Sequence, residues 1–335
     1  MTSRFFKQEL FIGKEGQRNI ENSHAVILGA GALGSAVSEM LVRAGIGKLT
    51  IIDRDYVEQS NLQRQQLYTE EDAVKKMPKA IAAKKRLKEI SSHTRIESIV
   101  EEINCYTIEK FIEGASILID GTDNFETRLV INDAAIKHQI PFLFGACVGS
   151  YGLSYSVVEE NAPCLHCLID RLPSQQITCD TAGVISPIVQ WVAAMQVSQA
   201  MQILSGETVL PVLRSFDIWK MEYVEMNVAK LKHTNCPTCG KEASFPYLSQ
   251  QNQTKAAVLC GRDAVHIRPP TPKGLDLYEF SQRWKSLVVN LIANPYLVSF
   301  HYNDYRVILF KDGRAIIHGT SEVSVAKSIY TRLVG

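Results

Sequence analysis

The sequence predicts an α/β fold: a doubly wound, mainly parallel sheet with an antiparallel extension, and a small C-terminal α/β appendage. Three observations carry this expectation. Short apolar strands alternate with helical stretches from Phe5 to Gly149, and a glycine-rich turn follows the first strand directly. Beyond Gly149 the texture changes to Tyr- and Ser-rich strands, loops and one long apolar helix, with two widely spaced cysteine pairs. Strands and helices that alternate at this spacing pack as a parallel sheet with crossover helices.

The elements follow in order. An amphipathic segment (Phe5 to Ile20) leads to the strand His24 to Leu28, then the turn Gly29-Ala30-Gly31-Ala32-Leu33-Gly34 and a helix to about Ala44. The strand Leu49 to Ile52 ends at Asp53, and a charged helix covers Lys79 to Ile90. A buried-type strand, Ser116 to Asp120, precedes a helix from about Phe125 to His138, and the strand Pro141 to Gly145 follows. Pro187 to Leu204 reads as an apolar helix, suited to a core or a dimer interface, and Phe216 to Val228 alternates as one antiparallel strand would. Two domains joined by a linker are expected: an α/β core over 1–246, a polar linker over 247–254 and an appendage over 255–335. Within the last, Tyr305 to Phe310 and Ala315 to His318 read as strands joined by an Asp312-Gly313 hairpin turn.

Composition narrows the function classes. The chain has 335 residues, 46% hydrophobic and 21% charged, with a formal charge of +1. That balance gives no electrostatic reason for a nucleic acid or membrane partner. No segment reaches the roughly 20 apolar residues of a membrane span, and the N-terminus lacks a signal-type apolar region, so a cytoplasmic location is expected. Eight cysteines in a long chain of this kind point to metal ligation rather than disulfides.

Gly29-x-Gly31-x-x-Gly34 directly after a strand predicts a Rossmann-like nucleotide-binding turn. Glycine permits the tight turn and lets backbone N–H groups approach phosphate at a helix N-terminus. Asp53, 19 residues beyond Gly34 at the end of the next strand, stands where a ribose hydroxyl would be. On this fingerprint alone a dinucleotide dehydrogenase is the default. The next motif argues otherwise: Ser60-Asn61-Leu62-Gln63-Arg64-Gln65 offers a guanidinium and amides that suit a polyphosphate better than a nicotinamide ring. Lys76 and Lys79 lie downstream, Lys79 just after Pro78. Asp120-Gly121-Thr122-Asp123-Asn124 ends a strand at the carboxyl edge of the sheet, where ligands bind in such folds. A carboxylate beside a triphosphate needs a cation, so Asp123 implies Mg²⁺. Singly, Arg64 or Lys79 reads as a solvated charge and a strand-end Asp as a helix cap.

Taken together, Gly-Ala-Gly-Ala-Leu-Gly, Asp53-x-Asp55, Ser-Asn-Leu-Gln-Arg-Gln, Pro-Lys and Thr-Asp-Asn resemble the ubiquitin-activating superfamily, and within it the ThiF/MoeB adenylyltransferases. The resemblance covers roughly residues 3 to 245. It implies ATP as cosubstrate, Gly31 on the nucleotide and Asp53 on the ribose. It places Asn61, Arg64 and Lys79 on phosphates and Mg²⁺ on Asp123, with Gly29, Gly34, Ser60, Gln63 and Asn124 around the nucleotide. The implied reaction is adenylation of the C-terminal Gly carboxylate of a ubiquitin-like sulfur carrier ending in Gly-Gly, for thiamine or molybdopterin synthesis, with a slight lean to thiamine. A symmetric homodimer is implied, and a cysteine desulfurase as sulfur donor. An N-terminal arginine of the family reaches the partner subunit's ATP; here Arg4-Phe5-Phe6-Lys7-Gln8 puts Lys7 at that position, which supplies charge but no bidentate fork.

A carboxylate attacking a phosphate is already ionised at neutral pH and needs no general base. The obstacle is charge repulsion, so cations and positioning do the work: Arg64, Lys79, Mg²⁺ on Asp123 and the helix start after Gly31. A non-catalytic ATP-holding scaffold and a nicotinamide oxidoreductase remain as alternatives, and no hydride-transfer partner is evident for the latter.

Cys164-Leu165-His166-Cys167 and Cys236-Pro237-Thr238-Cys239, with 68 residues between the pairs, predict a closed tetrahedral structural Zn²⁺ site. A redox dithiol is the rival for one pair alone. The family has the same four ligands. Cys179, in Thr178-Cys179-Asp180-Thr181-Ala182-Gly183, reads either as a small buried hydrophobe or as an activated thiol near a helix start. The family places a candidate persulfide or acyl-linked nucleophile there. Cys105, Cys147 and Cys260 read as structural. Some relatives end in a rhodanese domain; 255–335 holds only Cys260, without an anion-binding loop, so a rhodanese activity is not expected.

Overall fold

The computed structural model describes residues 3–158, 162–168, 182–249, 256–259, 263–269 and 274–334, with the backbone alone for 256–259. The chain forms two compact units. The first comprises residues 1–70 and 78–252, the second 71–77 and 253–335. The short excursion at 71–77 carries no signal in the sequence.

The first unit is built on an eight-stranded sheet. Its strands are β1 (His24–Leu28), β2 (Lys48–Ile52), β3 (Arg95–Ile99), β4 (Ile117–Asp120), β5 (Phe142–Val148), β6 (Tyr151–Val157), β7 (Val212–Asp217) and β8 (Glu222–Asn227), in the order β3-β2-β1-β4-β5-β6-β7-β8. Strands β1 to β5 are parallel; β6, β7 and β8 extend the sheet antiparallel. The parallel strands are buried on both faces, which explains their near-continuous apolar runs: all five residues of β1 and all four of β4 are buried.

Helices cover both faces. On one side α1 (Phe6–Glu21), α2 (Ala32–Ala44), α4 (Lys79–Ile90) and α8 (Ser186–Ser205) pack with one another and on the sheet. On the other, α5 (Ile108–Phe111), α6 (Phe125–Lys137) and α7 (Leu165–Leu168) enclose a core of Val26, Leu28, Leu118, Phe142, Phe144 and Tyr155. Each large side chain fully buried there stabilises the fold by roughly 1.5–3 kcal/mol. The kink in α1 falls at Gly13, whose φ of 77° and ψ of 161° break the helical path.

Phe216 to Val228 departs from the single strand its alternation predicts. It is the end of a hairpin in which β7 turns into β8 through Ile218 to Met221. The Asp217 carboxylate accepts from the backbone N–H groups of Trp219 and Lys220 at 3.0 and 3.2 Å, which closes the turn. Asp followed by exposed polar and apolar residues resembles strand alternation, and only pairing shows the reversal. As the sheet's edge strand, β8 is exposed throughout and carries Tyr223, Val224 and Met226.

The second unit contains α3 from Glu71 on (Glu70–Val74), α9 (Leu277–Trp284), α10 (Val323–Val334) and six antiparallel strands. These are β9 (Ala256–Leu259), β10 (Ala264–Ile267), β11 (Val289–Ala293), β12 (Leu297–Tyr302), β13 (Tyr305–Phe310) and β14 (Ala315–His318), ordered β11-β12-β13-β14-β10-β9. Val265, Val298, Phe300, Val307 and Ile317 pack with Leu277, Ala326, Ile329 and Leu333 of the two later helices. The Asp312-Gly313 turn joins β13 to β14, with Gly313 at φ 86°. Among the described residues no helix is long and apolar enough to cross a membrane.

Candidate nucleotide site and four-cysteine cluster

The strand order reverses between β1 and β4, and the sequence motifs converge on the carboxyl ends of these strands. Leu28 is in register with Ile52 and with Asp120, so Gly29, Asp53 and Gly121 emerge level with one another. In open α/β sheets this crevice is where ligands bind.

Crowding explains three of the four glycines here. Gly29 has φ +97°, and a Cβ on Gly34 would sit 1.8 Å from the Gly29 carbonyl oxygen. A Cβ on Gly121 would sit 2.3 Å from the same oxygen, so the turn and β4 meet backbone to backbone. Gly31 differs. Its φ is −73°, and its Cβ would meet nothing nearer than 3.6 Å. Crowding does not require glycine at this position; its bare backbone leaves open space at the start of α2, where first-turn N–H groups lack helical partners.

Asp53 staples the turn. One carboxylate oxygen accepts from Ala30 N–H at 2.6 Å and the other from Asp55 N–H at 2.6 Å. Burial pushes its carboxyl up from the ordinary range, and nearby Lys79 opposes that shift. The Tyr68 hydroxyl donates to the Ala30 carbonyl at 2.6 Å and holds the turn from its other side.

Lys79 opens α4 and is only 5% exposed. Its Nζ lies 3.3 Å from an Asp55 carboxylate oxygen, and its backbone N–H donates to the Asp55 carbonyl at 2.9 Å. An isolated buried ammonium is costly, so Asp55 is what makes this position tenable. Arg54 pairs with Glu102 and, at 3.7 Å, with Asp55. Burial alone would lower its pKa, but Glu102, Asp55 and Asp123 together raise it. Arg64 is half-buried, its guanidinium donating to the Ser60 carbonyl at 2.9 Å. Asn61 is buried, and its side-chain oxygen accepts from Glu58 N–H at 3.1 Å. Gln63 is exposed and donates to the Val184 carbonyl at 3.3 Å.

At the end of β4 the neighbours Asp123 and Asn124 divide their duties. Asn124 caps α6, its side chain accepting from Thr127 N–H at 2.8 Å, which leaves the neighbouring Asp123 carboxylate exposed. Ser60 is exposed beside the polar loop, and Lys7 is exposed on α1 with its ammonium 6.0 Å from the Phe6 ring. Arg4 donates to the Ile90 carbonyl at 2.9 Å. The position of Cys179 lies outside the described residues, as does that of Cys260.

Several residues of the site carry no motif signal. Arg128, buried in the second turn of α6, pairs with buried Asp120 at 2.9 Å and donates to the carbonyls of Thr122 and Gly145 at 2.7 and 3.1 Å. Gln196 of α8 donates to the Asp120 carbonyl at 2.9 Å. Together they brace the loop that presents Asp123. Burial pushes the Asp120 carboxyl up, and Arg128 holds it against that trend. Arg128→Met is therefore expected to cost about 3 kcal/mol, because it leaves a buried carboxylate without its counter-charge. Denaturant unfolding of the variant checks this, and a midpoint equal to the parent's would refute it. The helical position of Arg128 reads as an ordinary surface charge until the packing of α6 is known, and Glu102 sits in a stretch without any pattern.

The four cysteines converge as their spacing predicts. The Sγ atoms of Cys164, Cys167, Cys236 and Cys239 all lie within 4.8 Å of one another. Cys164 meets Cys236 at 3.7 Å and Cys167 meets Cys239 at 3.5 Å, far beyond a disulfide bond. Four sulfurs about 2.3 Å from a central ion would be about 3.8 Å apart, so the spacing fits a tetrahedral metal site. Hydrogen bonding from Cys164 holds the Cys167 thiol well below its ordinary range, and the same pairing pushes Cys164 up. The outer contacts are ordered too: Thr238 donates to Asp133 of α6 at 2.6 Å, and Tyr247 N–H donates to the other Asp133 oxygen at 2.8 Å.

Comparison with known proteins agrees with this geometry. The chain is 54% identical over its whole length to the sulfur carrier protein ThiS adenylyltransferase of Bacillus subtilis, whose whole length is also covered. It is 30% identical to the molybdopterin-synthase adenylyltransferase of Salmonella typhimurium, over 68% of this chain and 91% of that one. Among solved structures, E. coli MccB with MccA-N7isoASN shares the fold at a TM-score of 0.62 and 20% identity, over 72% of this chain and 75% of that one. The ThiF family profile matches residues 5–238. The chain belongs to the ThiF family.

Proposed function

We propose that this protein adenylates the C-terminal glycine carboxylate of a ubiquitin-like sulfur carrier, consuming ATP and releasing pyrophosphate. The observation that carries the reading is Gly31: an open, Cβ-free helix start at the switch point of the sheet, flanked by Asp53 and Lys79. The N–H groups at the start of α2 receive phosphate oxygens. Asp53, already locked by two backbone donors, presents its carboxylate edge to the ribose. Arg64 and Lys79 take the phosphates, Lys79 exchanging part of its contact with Asp55 for them, while Asn61 and Ser60 line the same loop. Asp123, freed from capping by Asn124, would hold Mg²⁺, which supplies charge neutralisation at the phosphates when bound.

The carrier's carboxylate then attacks the α-phosphorus. An oxygen–phosphorus bond forms to give the acyl-adenylate, the bond to the β-phosphate oxygen breaks, and pyrophosphate leaves with its electron pair. No proton is transferred in this step. Arg64 and Lys79 offset the charge that repels the nucleophile and that grows on the leaving group. The four cysteines would hold a structural Zn²⁺ that ties the region after β8 to α7 and the residue before it. Lys7, carried on α1, would reach a second copy's nucleotide in a homodimer, and Cys179 would take the later sulfur-transfer step, with a cysteine desulfurase as donor.

The whole-length resemblance to a ThiS adenylyltransferase supports a thiamine-type carrier. ATP–pyrophosphate exchange with purified thiamine-type and molybdopterin-type carriers tests this. Exchange is expected with the thiamine-type carrier and is expected to vanish when its last glycine is removed. Exchange with neither carrier would overturn the adenylation reading and favour the scaffold alternative.

A further inference from the structure

We infer that Arg54 is a positioning residue for the phosphate-binding lysine, acting through the Asp55 carboxylate that it shares with Lys79. The inference rests on the adenylation reading for the role of Lys79. All four side chains concerned, those of Arg54, Asp55, Lys79 and Glu102, belong to the first unit. Asp55 faces two cations with its two oxygens: Oδ1 lies 3.7 Å from Arg54 Nε, and Oδ2 lies 3.3 Å from Lys79 Nζ. Its backbone is fixed, because its N–H donates to the Asp53 carboxylate and its carbonyl accepts from Lys79 N–H. The carboxylate therefore cannot follow one cation away from the other by moving the chain. The guanidinium is fixed as well. Arg54 Nη1 pairs with the Glu102 carboxylate, whose side chain is only 7% exposed. Glu102 lies just beyond the end of β3, in a loop that the Thr107 hydroxyl closes by donating to the Glu102 carbonyl at 2.7 Å. The end of β3 is in turn tied to Asp53, whose N–H donates to the Ile99 carbonyl at 3.1 Å.

Nucleotide binding asks Lys79 to turn part of its hydrogen bonding from Asp55 to phosphate. For a buried ammonium that exchange is costly in two ways. The ammonium must loosen its ion pair, and the carboxylate loses counter-charge in a poorly hydrated place. Arg54 lowers both costs. Drawn partly toward the guanidinium, Asp55 holds the ammonium less tightly, and it keeps a counter-charge after the ammonium turns. A guanidinium suits this duty because its several N–H donors let it bind Glu102 with one edge while Nε approaches Asp55. The Asp123 carboxylate also favours the Arg54 charge, which sets the guanidinium in the field of the proposed Mg²⁺ ligand. The run Asp53-Arg54-Asp55 after β2 thus acts as one device. Asp53 staples the glycine turn, Asp55 holds Lys79, and Arg54 keeps that hold exchangeable.

Arg54→Gln combined with Glu102→Gln tests this in the full-length protein, since removing both partners leaves no buried carboxylate without its counter-charge. Titration calorimetry with MgATP is expected to show about a tenfold weaker affinity, on the scale of coupling within one ion-pair network, while kcat for ATP–pyrophosphate exchange stays within about threefold. In an Asp55→Asn background the same two changes are expected to cause no further loss of affinity, because Arg54 acts through Asp55. Unchanged affinity in the folded double variant overturns the positioning role. So does a loss that persists at full size in the Asp55→Asn background, which marks a general charge effect. Should the double variant not fold, Arg54→Lys decides. That change keeps a charge beside Glu102 but lacks the fork that also reaches Asp55, and about a threefold weaker affinity is expected. An affinity equal to the parent's overturns the proposal there too. If Lys79→Met leaves MgATP affinity unaltered, the phosphate role of Lys79 falls and the role of Arg54 with it. MgATP binding without exchange on any carrier would instead sink the adenylation reading alone, and the affinity comparison would still decide the role of Arg54.

Discussion

Asp123→Ala is expected to lower ATP–pyrophosphate exchange about a thousandfold, the upper end of what removing one charge-stabilising group costs an active site. The carboxylate is exposed at the end of β4, the α6 cap is made by Asn124, and the Thr122 N–H and hydroxyl bond to Asp120 rather than to Asp123. Asp123 adds to the field that favours the Arg54 charge but makes none of the capping contacts, so stability is expected to stay within about 1 kcal/mol of the parent. The loss has a stated cause: without a cation held beside the phosphates, the attacking carboxylate approaches an unscreened polyanion. Raising the Mg²⁺ concentration is expected to recover part of the rate, because the metal then binds through the nucleotide alone. Pyrophosphate exchange across a Mg²⁺ titration measures both effects. An unchanged rate, or a loss that comes with unfolding by circular dichroism, would remove Asp123 from the metal-binding role.

Removing the metal from the four-cysteine cluster is expected to produce the largest stability change in the molecule. Cys164 and Cys236 are buried, and the cluster joins chain segments 68 residues apart between the pairs. Structural Zn²⁺ contributes about 10 kcal/mol or more in small zinc modules, comparable to the whole stability of an ordinary domain. Here the surrounding core of Leu165, Leu168, Phe142 and Tyr155 remains, so partial unfolding around Asp133 and the segment to Tyr247 is expected rather than global collapse. The melting temperature is expected to fall by more than about 10 °C on treatment with a strong chelator, taking about 2–4 °C per kcal/mol for a domain of this size. Cys236→Ser is expected to reproduce the fall and to abolish zinc in elemental analysis. One zinc per chain in the parent, lost with the thermal shift, supports the assignment. A metal-free parent with the same melting temperature would refute it.

Much of the architecture was legible because its signals are local. The strands β1, β2 and β4 announce themselves as apolar runs, and α4 and α6 appear within a residue of their expected bounds. Gly29, Gly31 and Gly34 follow the first strand as the motif requires, although only the structure shows that Gly29 and Gly34 answer to crowding and Gly31 does not. The β7–β8 hairpin reads as one strand in the sequence because a four-residue turn with one polar anchor has the same alternation as a strand. Arg128 and Glu102 were invisible, since a charged residue reads as solvated until its burial is known.

What this sequence determined by itself are the features that depend on neighbours within a turn or a strand. These are the glycine turn, the acid at the end of β2, the Pro78-Lys79 helix start and the paired cysteines with metal-ligand spacing. The tertiary structure alone decided which partners meet. It set Lys79 against Asp55, Arg128 against Asp120, Cys164 beside Cys236 and Cys167 beside Cys239, and it drew residues 71–77 into the second unit. The physical reason is that local patterns follow from backbone periodicity and turn sterics, which act over a few residues. Long-range partners are selected by the burial of whole faces, and a buried charge takes whichever counter-charge that packing brings within reach.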